Sequence, residues 1–286
     1  MPSTPPSPEP RRPRVLLVTD LAYEARGRRY CDEDIALASR LREDFDTALC
    51  HPLDAAALMD SFDAVLIRNS GPVLNYQAAF DAFRTQALAS ETRVYNQLTG
   101  SADMAGKQYL VDLTAQGHPV IPTVDRLADV GKLPATAEYV IKPKQGADSI
   151  GLEFLTRAEL ETHAATKADG TLLIQPRIDF AYELSFYFVD ATFQYALHAP
   201  HPDKRWALEL YTPTPADLAF AQRFIDWNTI DHGIQRVDAC RTRSGDLLLV
   251  ELEDLNPYLS LDLIPQEHRD AFITGLKASL HSLLGR

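Results

Sequence analysis

Toward the C-terminal end of the chain, carboxylates recur at spacings that a metal ion could use. Asp238 shares one face of a short β-type run with Arg236 and Ile234, because side chains along a strand alternate with a period of two. Glu251 and Glu253 are expected to share a face with Leu249 in the next run. Folding the two runs about Ser244 brings Asp238 almost opposite Glu251. Like charges across a ladder destabilise it unless something positive lies between them. Asn256 adds a neutral oxygen just beyond, so Asp238, Glu251, Glu253 and Asn256 form a hard-oxygen donor set that suits Mg²⁺. The plainer alternative makes Glu251 or Glu253 a solvated edge residue and Arg236 its ion-pair partner.

Two lysines stand among apolar neighbours. Lys107 precedes Leu110 and Val111 by three and four positions, which on a helix places it on the apolar stripe. Read alone, it is a lysine whose stem covers core while its ammonium reaches water. Lys142 follows Ile141 in an apolar strand and faces the same way as Val140. A charge there needs an anion or carboxylate to offset desolvation, the alternative being an exposed strand end. The polar loop behind it, Lys144 to Gly151, can turn backbone N–H groups toward a phosphate, although it fits neither the Walker pattern nor G-x-G-x-x-G. Ser61, Ser70 and Ser149 lack a G-x-S-x-G elbow, so no serine nucleophile is expected. His198 and His201 flank a proline in a loop context and read as surface histidines.

The elements that must position these residues follow from periodicity. Val15 to Thr19, Ala48 to Cys50 and Ala64 to Ile67 read as strands, alternating with helices over Asp34–Leu41 and near Ala55–Met59. That alternation predicts a parallel, Rossmann-like layer, whose ligands gather beyond the carboxyl ends of the strands. Arg68 and Asn69 lie at one such end. A helix over Ala102–Ala115 stops at Gly117, and the strands Tyr139–Lys142 and Leu172–Gln175 each end at a proline, with a helix over Arg157–Thr166 between them. From Glu183 the pattern turns antiparallel, through Leu184–Val189, Phe193–Leu197, Gly233–Cys240 and Leu247–Glu253, with helices over Pro215–Ile225 and Arg269–Leu284. The class is therefore α/β followed by two α+β lobes. The aromatic residues from Tyr182 to Tyr195 read as core packing.

Composition narrows the partners. A chain of 286 residues can bury about 75% of its unfolded surface without staples. The net charge of −12 argues against a nucleic-acid backbone as partner, but not against a nucleotide, whose phosphates need only a few local cations and a metal. Cys31, Cys50 and Cys240 are widely spaced and form neither a disulfide framework nor a zinc motif, which suits a reducing cytoplasm. No apolar run is long enough to span a membrane. Residues 1–13 are proline-rich and read as a disordered tail rather than a signal peptide.

Taken in order, Val94-Tyr95-Asn96, Lys107 with Leu110 and Leu113, Gly117 to Thr123, Val140-Ile141-Lys142-Pro143, Leu173-Ile174-Gln175-Pro176, Glu183 with Ser185, Arg236-Val237-Asp238, and Glu251-Leu252-Glu253 with Asn256-Pro257 resemble the ATP-grasp superfamily. The likeness is to its glutathione-synthetase-like and RimK-like ligases, including small bacterial enzymes of the cycloserine-forming kind. It implies an α/β domain over 14–95, a central lobe over 96–176 with a lid loop at 144–151, and a C-terminal lobe over 177–286. It further implies that Lys107, Lys142 and the lid, with Ser149, hold ATP phosphates. Gln175, Pro176, Arg177, Ile178, Asp179 and Glu183 would then line the adenine and ribose. Asp238, Glu251, Glu253 and Asn256 would hold Mg²⁺, or Mn²⁺ in its place, with the choice of bridging glutamate open. Arg236 would neutralise an acyl phosphate, assisted by Lys142. Lys204 or Arg205 is the implied basic residue after the aromatic hairpin, and Arg68 and Asn69 are candidate contacts to a substrate carboxylate. The activity implied is ADP-forming ligation of a carboxylate, an amino acid or short peptide, to an amine. The alternatives are a cyclising or non-peptide ligase and a nucleotide-binding protein without turnover. Small-molecule substrates, a cytoplasmic location and a homodimer complete the expectations.

Overall fold

In the computed structural model, the described residues are 11–25, 28–68, 73–144, 151–164, 170–201, 204 and 207–286. Asn69, Ser149, Arg205 and positions 145–150 of the expected lid lie outside them. The apolar runs near the N-terminus become a parallel sheet: β1 (Arg14–Val18), β4 (Asp46–Cys50), β5 (Ala64–Ile67) and β6 (Val94–Tyr95), in the order β4-β1-β5-β6. Val15 to Val18 and Ala64 to Ile67 are buried throughout, as strands covered on both faces must be. A two-residue hairpin, β2 (Glu24–Ala25) with β3 (Arg28–Arg29), follows β1. Helices α1 (Cys31–Leu41), α2 (Ala55–Leu58) and α3 (Gln77–Ala89) connect the strands. The sequence pattern offered no element for α3, whose buried face is only Phe80, Phe83 and Ala87.

The next segment departs from expectation in one place that matters. Instead of a helix from Ala102, a 3₁₀ turn at Asp103–Ala105 leads to Gly106 at φ +87°, and α4 begins only at Tyr109, ending at Ala115. A left-handed glycine cannot continue a right-handed helix. Lys107 therefore sits in the turn before α4 rather than on a helical stripe. A small antiparallel sheet follows, β7 (Glu138–Pro143), β8 (Glu153–Thr156) and β9 (Leu172–Pro176), in the order β8-β7-β9, with α5 (Arg157–Ala164) against it. Tyr139, Ile141, Leu160 and Ile174 form its separate core.

The C-terminal sheet has five antiparallel strands in the order β12-β11-β10-β13-β14: β10 (Phe180–Val189), β11 (Thr192–Ala199), β12 (Glu209–Tyr211), β13 (Ile234–Thr242) and β14 (Leu247–Glu253). Helix α6 (Pro215–Asn228) starts at a capping box between Thr214 and Asp217 and covers one face. There Phe224 meets Phe186, Val237, Leu249 and Leu252, together with Leu110 of α4. On the opposite face Tyr187, Tyr195 and Ile234 join Phe272 and Leu276 of α7 (Gln266–Leu283) and the first sheet's Val15, Leu17 and Leu66 in one continuous core.

One register detail corrects the expected pattern. Asp238 pairs with Glu251, but Ala239 pairs with Leu249, so the strand slips at Val250. A bulge of this kind reverses the phase of alternation. Leu249 and Leu252 consequently point into the α6 core, while Glu251 and Glu253 take the other face, beside Asp238. Strict period-two reading had grouped Leu249 with the glutamates.

Candidate active site

Ligand-capable oxygens of Asp238, Glu251 and Glu253 lie within 4.8 Å of one another, all three side chains half-buried. Two cations hold them together. Arg236 forks onto Asp238, with its Nε and Nη2 at 2.9 and 2.8 Å, and its Nη2 also donates to Glu253 at 2.5 Å. Its Nη1 donates to the Tyr258 carbonyl at 2.9 Å, and its plane lies 5.9 Å from the Tyr187 ring. Burial works against a buried cation, yet Asp238 and Glu253 keep Arg236 well above its ordinary pKa. Glu253 shows the opposite strain: burial, with Asp238 and Asp103 adding to it against Arg236, pushes its carboxyl up to about 8. Ser185 donates to Asp238 at 2.7 Å. The donor set is all hard oxygen and over-rich in negative charge, so the residues fit a divalent cation.

Lys107 reaches this patch from the turn before α4. It is 5% exposed, and its ammonium pairs with Glu251 and with Asp103, the latter at 2.7 Å. Asp103 also accepts from the Tyr109 hydroxyl at 3.0 Å, and Tyr109 in turn accepts the Leu252 N–H at 2.7 Å. Lys142 enters from β7 on the side away from Ile141, as expected. It makes no ion pair among the described residues. Burial, then the neighbouring Lys107 ammonium, lowers its pKa to about 7, while Asp103 acts in the other direction. The two lysines and the acidic hairpin thus share one electrostatic neighbourhood.

No family model matches the chain. In sequence it is 30% identical, over 249 residues, to a cycloserine biosynthesis protein of Streptomyces lavendulae, DcsG; the aligned region covers 74% of this chain and 82% of that protein. The chain belongs to the ATP-grasp ligases. Solved structures agree on the fold. A crystal structure of D-cycloserine synthetase DcsG superimposes with a TM-score of 0.73 at 23% identity, covering 93% of this chain and 99% of that one. The D-alanine–D-alanine ligase of Bacillus anthracis, complexed with ATP, gives 0.63 at 13% identity, covering 96% and 98%. The macrocyclase MdnC of Microcystis aeruginosa MRC, bound to its precursor peptide, gives 0.66 at 12%, covering 94% and 99%.

In this ligase the expected adenine and ribose residues line up along the end of β9 and the start of β10. Gln175 is buried, and its amide donates to Thr123 at 2.8 Å. Pro176 is buried beside it, while Arg177 is exposed, its N–H bonded to the Glu138 carbonyl at 3.0 Å and its guanidinium 5.1 Å from the Phe154 ring. Ile178 is half-buried. Asp179 points outward, 81% exposed, toward Arg243 at 3.4 Å. Glu183 is half-buried and paired in the sheet with Ala199 and Cys240. Asn256 is half-buried just past β14. Lys204 is exposed. His198, expected at the surface, packs between Tyr182 and Tyr211 with ring centroids at 5.8 and 5.3 Å.

Arg68 is the clearest departure. It is 1% exposed, and its guanidinium donates to Asp34 at 2.8 Å, to the Pro257 carbonyl at 2.8 Å and to Glu33 at 3.4 Å. Each of its three nitrogens has an acceptor inside the protein, so here it serves the structure between α1, β5 and the segment after β14. The sequence reading also passed over Asp103, Tyr109 and Asp254, and it gave Asn96 a place in a motif but no role. Asp254 is fully buried and accepts the N–H groups of Ala102 and Met104 at 3.1 and 2.7 Å and the Asn228 amide at 3.2 Å. Asn96 donates to the carbonyls of Ile234 and Asp254, both at 2.7 Å, and accepts the Ile234 N–H at 2.9 Å. Asp254, next to Glu253 in sequence, carried a hint: a charged side chain on the apolar face of a strand end must serve orphan N–H groups.

Proposed function

We propose that this ATP-grasp ligase binds ATP with Mg²⁺ between the small sheet and the five-stranded sheet, and joins a small carboxylate to an amine through an acyl phosphate. The observation that carries the reading is the convergence of Asp238, Glu251 and Glu253 with Arg236 and Lys107 in one half-buried patch, beside Lys142, which makes no ion pair among the described residues. Asp238, Glu251, Glu253 and Asn256 would hold the ion, which when bound supplies charge neutralisation to the polyphosphate. Lys142 meets phosphate oxygens, and Lys107 exchanges Glu251 for phosphate as the nucleotide enters. A substrate carboxylate oxygen attacks the γ-phosphorus and the bond to the β-phosphate oxygen breaks, releasing ADP. Arg236 steadies the acyl phosphate. The amine then attacks the acyl carbon, phosphate leaves, and the nitrogen gives up a proton. Such chemistry asks for positioning and charge rather than a side-chain nucleophile.

Ring closure or a non-peptide nucleophile is the second reading, favoured by the 30% identity to a cycloserine biosynthesis protein. Incubation with ATP, Mg²⁺ and an amino-acid library, with hydroxylamine added to trap acyl phosphate, tests the proposal. Hydroxamate and ADP in equal amounts are expected; ADP release without hydroxamate or coupled product, for any mixture, would refute the acyl-phosphate route.

A further inference from the structure

Between Asn256 and the last helix the chain runs as a strap, and it is fastened by residues from near the chain's other end. Glu33, in the first turn of α1, accepts the N–H groups of both Leu259 and Leu261, at 2.8 and 3.0 Å. Arg68, at the end of β5, donates to the Pro257 carbonyl at 2.8 Å and ties itself to Asp34 and Glu33. Thr19, at the end of β1, donates to the second oxygen of Asp34 at 2.6 Å. Side chains of Glu33, Asp34 and Arg68 are 5, 0 and 1% exposed. Replacing such a buried ionic cluster by well-packed apolar groups of the same size is often neutral or stabilising, so stability alone does not account for its use here.

The strap is also strained. Ser260, lying between the two N–H groups held by Glu33, has φ +54°, ψ +39°. A non-glycine residue in the left-handed region costs roughly 1–2 kcal/mol, and such conformations persist where their surroundings over-determine them. Two features of the site hang on this strap. Asn256 immediately precedes Pro257, and the Tyr258 carbonyl accepts from Arg236, whose other nitrogens grip Asp238 and Glu253.

We infer that Glu33 and Arg68 are positioning residues: from the first domain, they lock the 257–261 strap so that Asn256 and the Tyr258 carbonyl set the metal donors and Arg236 in working geometry. The inference rests on the ligase reading above. It gives the buried arginine at the end of β5 a task, and it makes the first domain a partner in the phosphate chemistry rather than only a cover for substrates.

The experiment uses Mn²⁺ as the probe, titrated by EPR into full-length protein with a non-hydrolysable ATP analogue, at pH 8. That pH lies above the value of about 7 to which burial pushes the Glu33 carboxyl, so the wild-type group is ionised. Glu33→Gln keeps the volume but can accept only one of the two N–H groups. It should weaken Mn²⁺ binding by about 10–100-fold while the analogue's own affinity in EDTA stays unchanged. Ser260→Gly in the same chain removes the left-handed penalty and should restore a substantial part of that loss, which a merely structural role would not do. Arg68→Lys, which keeps the charge but cannot span both Asp34 and Pro257, should give the same loss, and it answers the question should Glu33→Gln fail to fold. Wild-type Mn²⁺ affinity in whichever folded variants are obtained would overturn the clasp alone. A wild-type protein that binds no Mn²⁺ with the analogue would overturn the ligase-site reading, and the clasp with it.

Discussion

The hairpin of β13 and β14 and the small sheet of β7 to β9 both bring charge to the site, and they do so by opposite means. On the hairpin each acidic group has a cationic partner: Asp238 and Glu253 share Arg236, and Glu251 meets Lys107. Beneath it lies a large core shared with α4 and α6. On the small sheet Lys142 has no such partner among the described residues, and its core is a handful of side chains around Tyr139 and Ile141. A cluster whose carboxylates each touch a cation, set on a deep core, is a platform that holds its geometry in the absence of ligand. An unbalanced cation on a shallow core is a group whose electrostatic cost is relieved only when an anion arrives. Within one site, one wall is built to stay and the other to respond.

Removing a charge from the platform should therefore cost the most. Asp238→Asn leaves the hairpin packed but turns an amide NH₂ toward one prong of the Arg236 fork and exchanges a charged metal donor for a neutral oxygen. Mg²⁺-dependent ADP release should fall about 100–1000-fold with little change in melting temperature. A turnover within threefold of wild type would show that the acidic cluster is not where the metal acts. On the responsive wall, Lys142→Ala should weaken ATP binding by about 10–100-fold, the range for a lost charged hydrogen bond, and should stabilise the free protein, since an unfavourable buried amine is gone. Equal nucleotide affinities by calorimetry would remove Lys142 from the phosphate site.

The same contrast has a pH signature. The Lys142 pKa of about 7 lies below its ordinary 10.5, so between those values the unfolded chain carries a proton that the folded one has released. Its contribution therefore makes stability rise with pH across that window, and the strain is greatest below pH 7, where the amine is charged in both states. Nucleotide phosphates reverse the preference, because they favour the ammonium. ATP binding at pH 8 should take up a proton at Lys142, seen as a dependence of the binding enthalpy on the ionisation enthalpy of the buffer. Lys142→Met should abolish the uptake; if the variant retains it, another group is titrating.

How far the sequence reached follows the same division. The strands were legible from the apolar runs Ala64–Ile67, Leu184–Val189 and Leu247–Glu253. Asp238 opposite Glu251 was legible from the turn at Ser244. The bulge at Val250 was not, since no local residue marks it, and so Leu249 was placed on the wrong face. Lys107 was assigned to a helix because Leu110 and Val111 follow it at helical spacing, although Gly106 stands immediately before it. Arg68 looked like a ligand contact because it ends a parallel strand; its partners Asp34 and Pro257 are distant in sequence, and nothing local announces them.

Two quieter substitutions separate the walls in terms of stability. A Cβ at Gly100 would fall 2.2 Å from the Asp254 carboxylate oxygen. Gly100→Ala must displace a buried acid that holds Ala102 and Met104, so a loss of about 1–3 kcal/mol in chemical unfolding is expected, together with weaker Mg²⁺ dependence, because Asp254 adjoins Glu253. Thr123→Val is the mildest. The Thr123 hydroxyl accepts from the Gln175 amide at 2.8 Å and donates to the Ile121 carbonyl at 2.7 Å, so the valine strands a buried amide beside the expected adenine site. Roughly 1 kcal/mol should be lost. If the small sheet is the responsive wall, ATP should restore most of that loss by giving the Gln175 amide a new partner, and thermal melts with and without nucleotide will show whether the gap between variant and wild type closes. A gap that stays constant would mean that Gln175 faces away from the base, and that the small sheet meets the nucleotide through Lys142 alone.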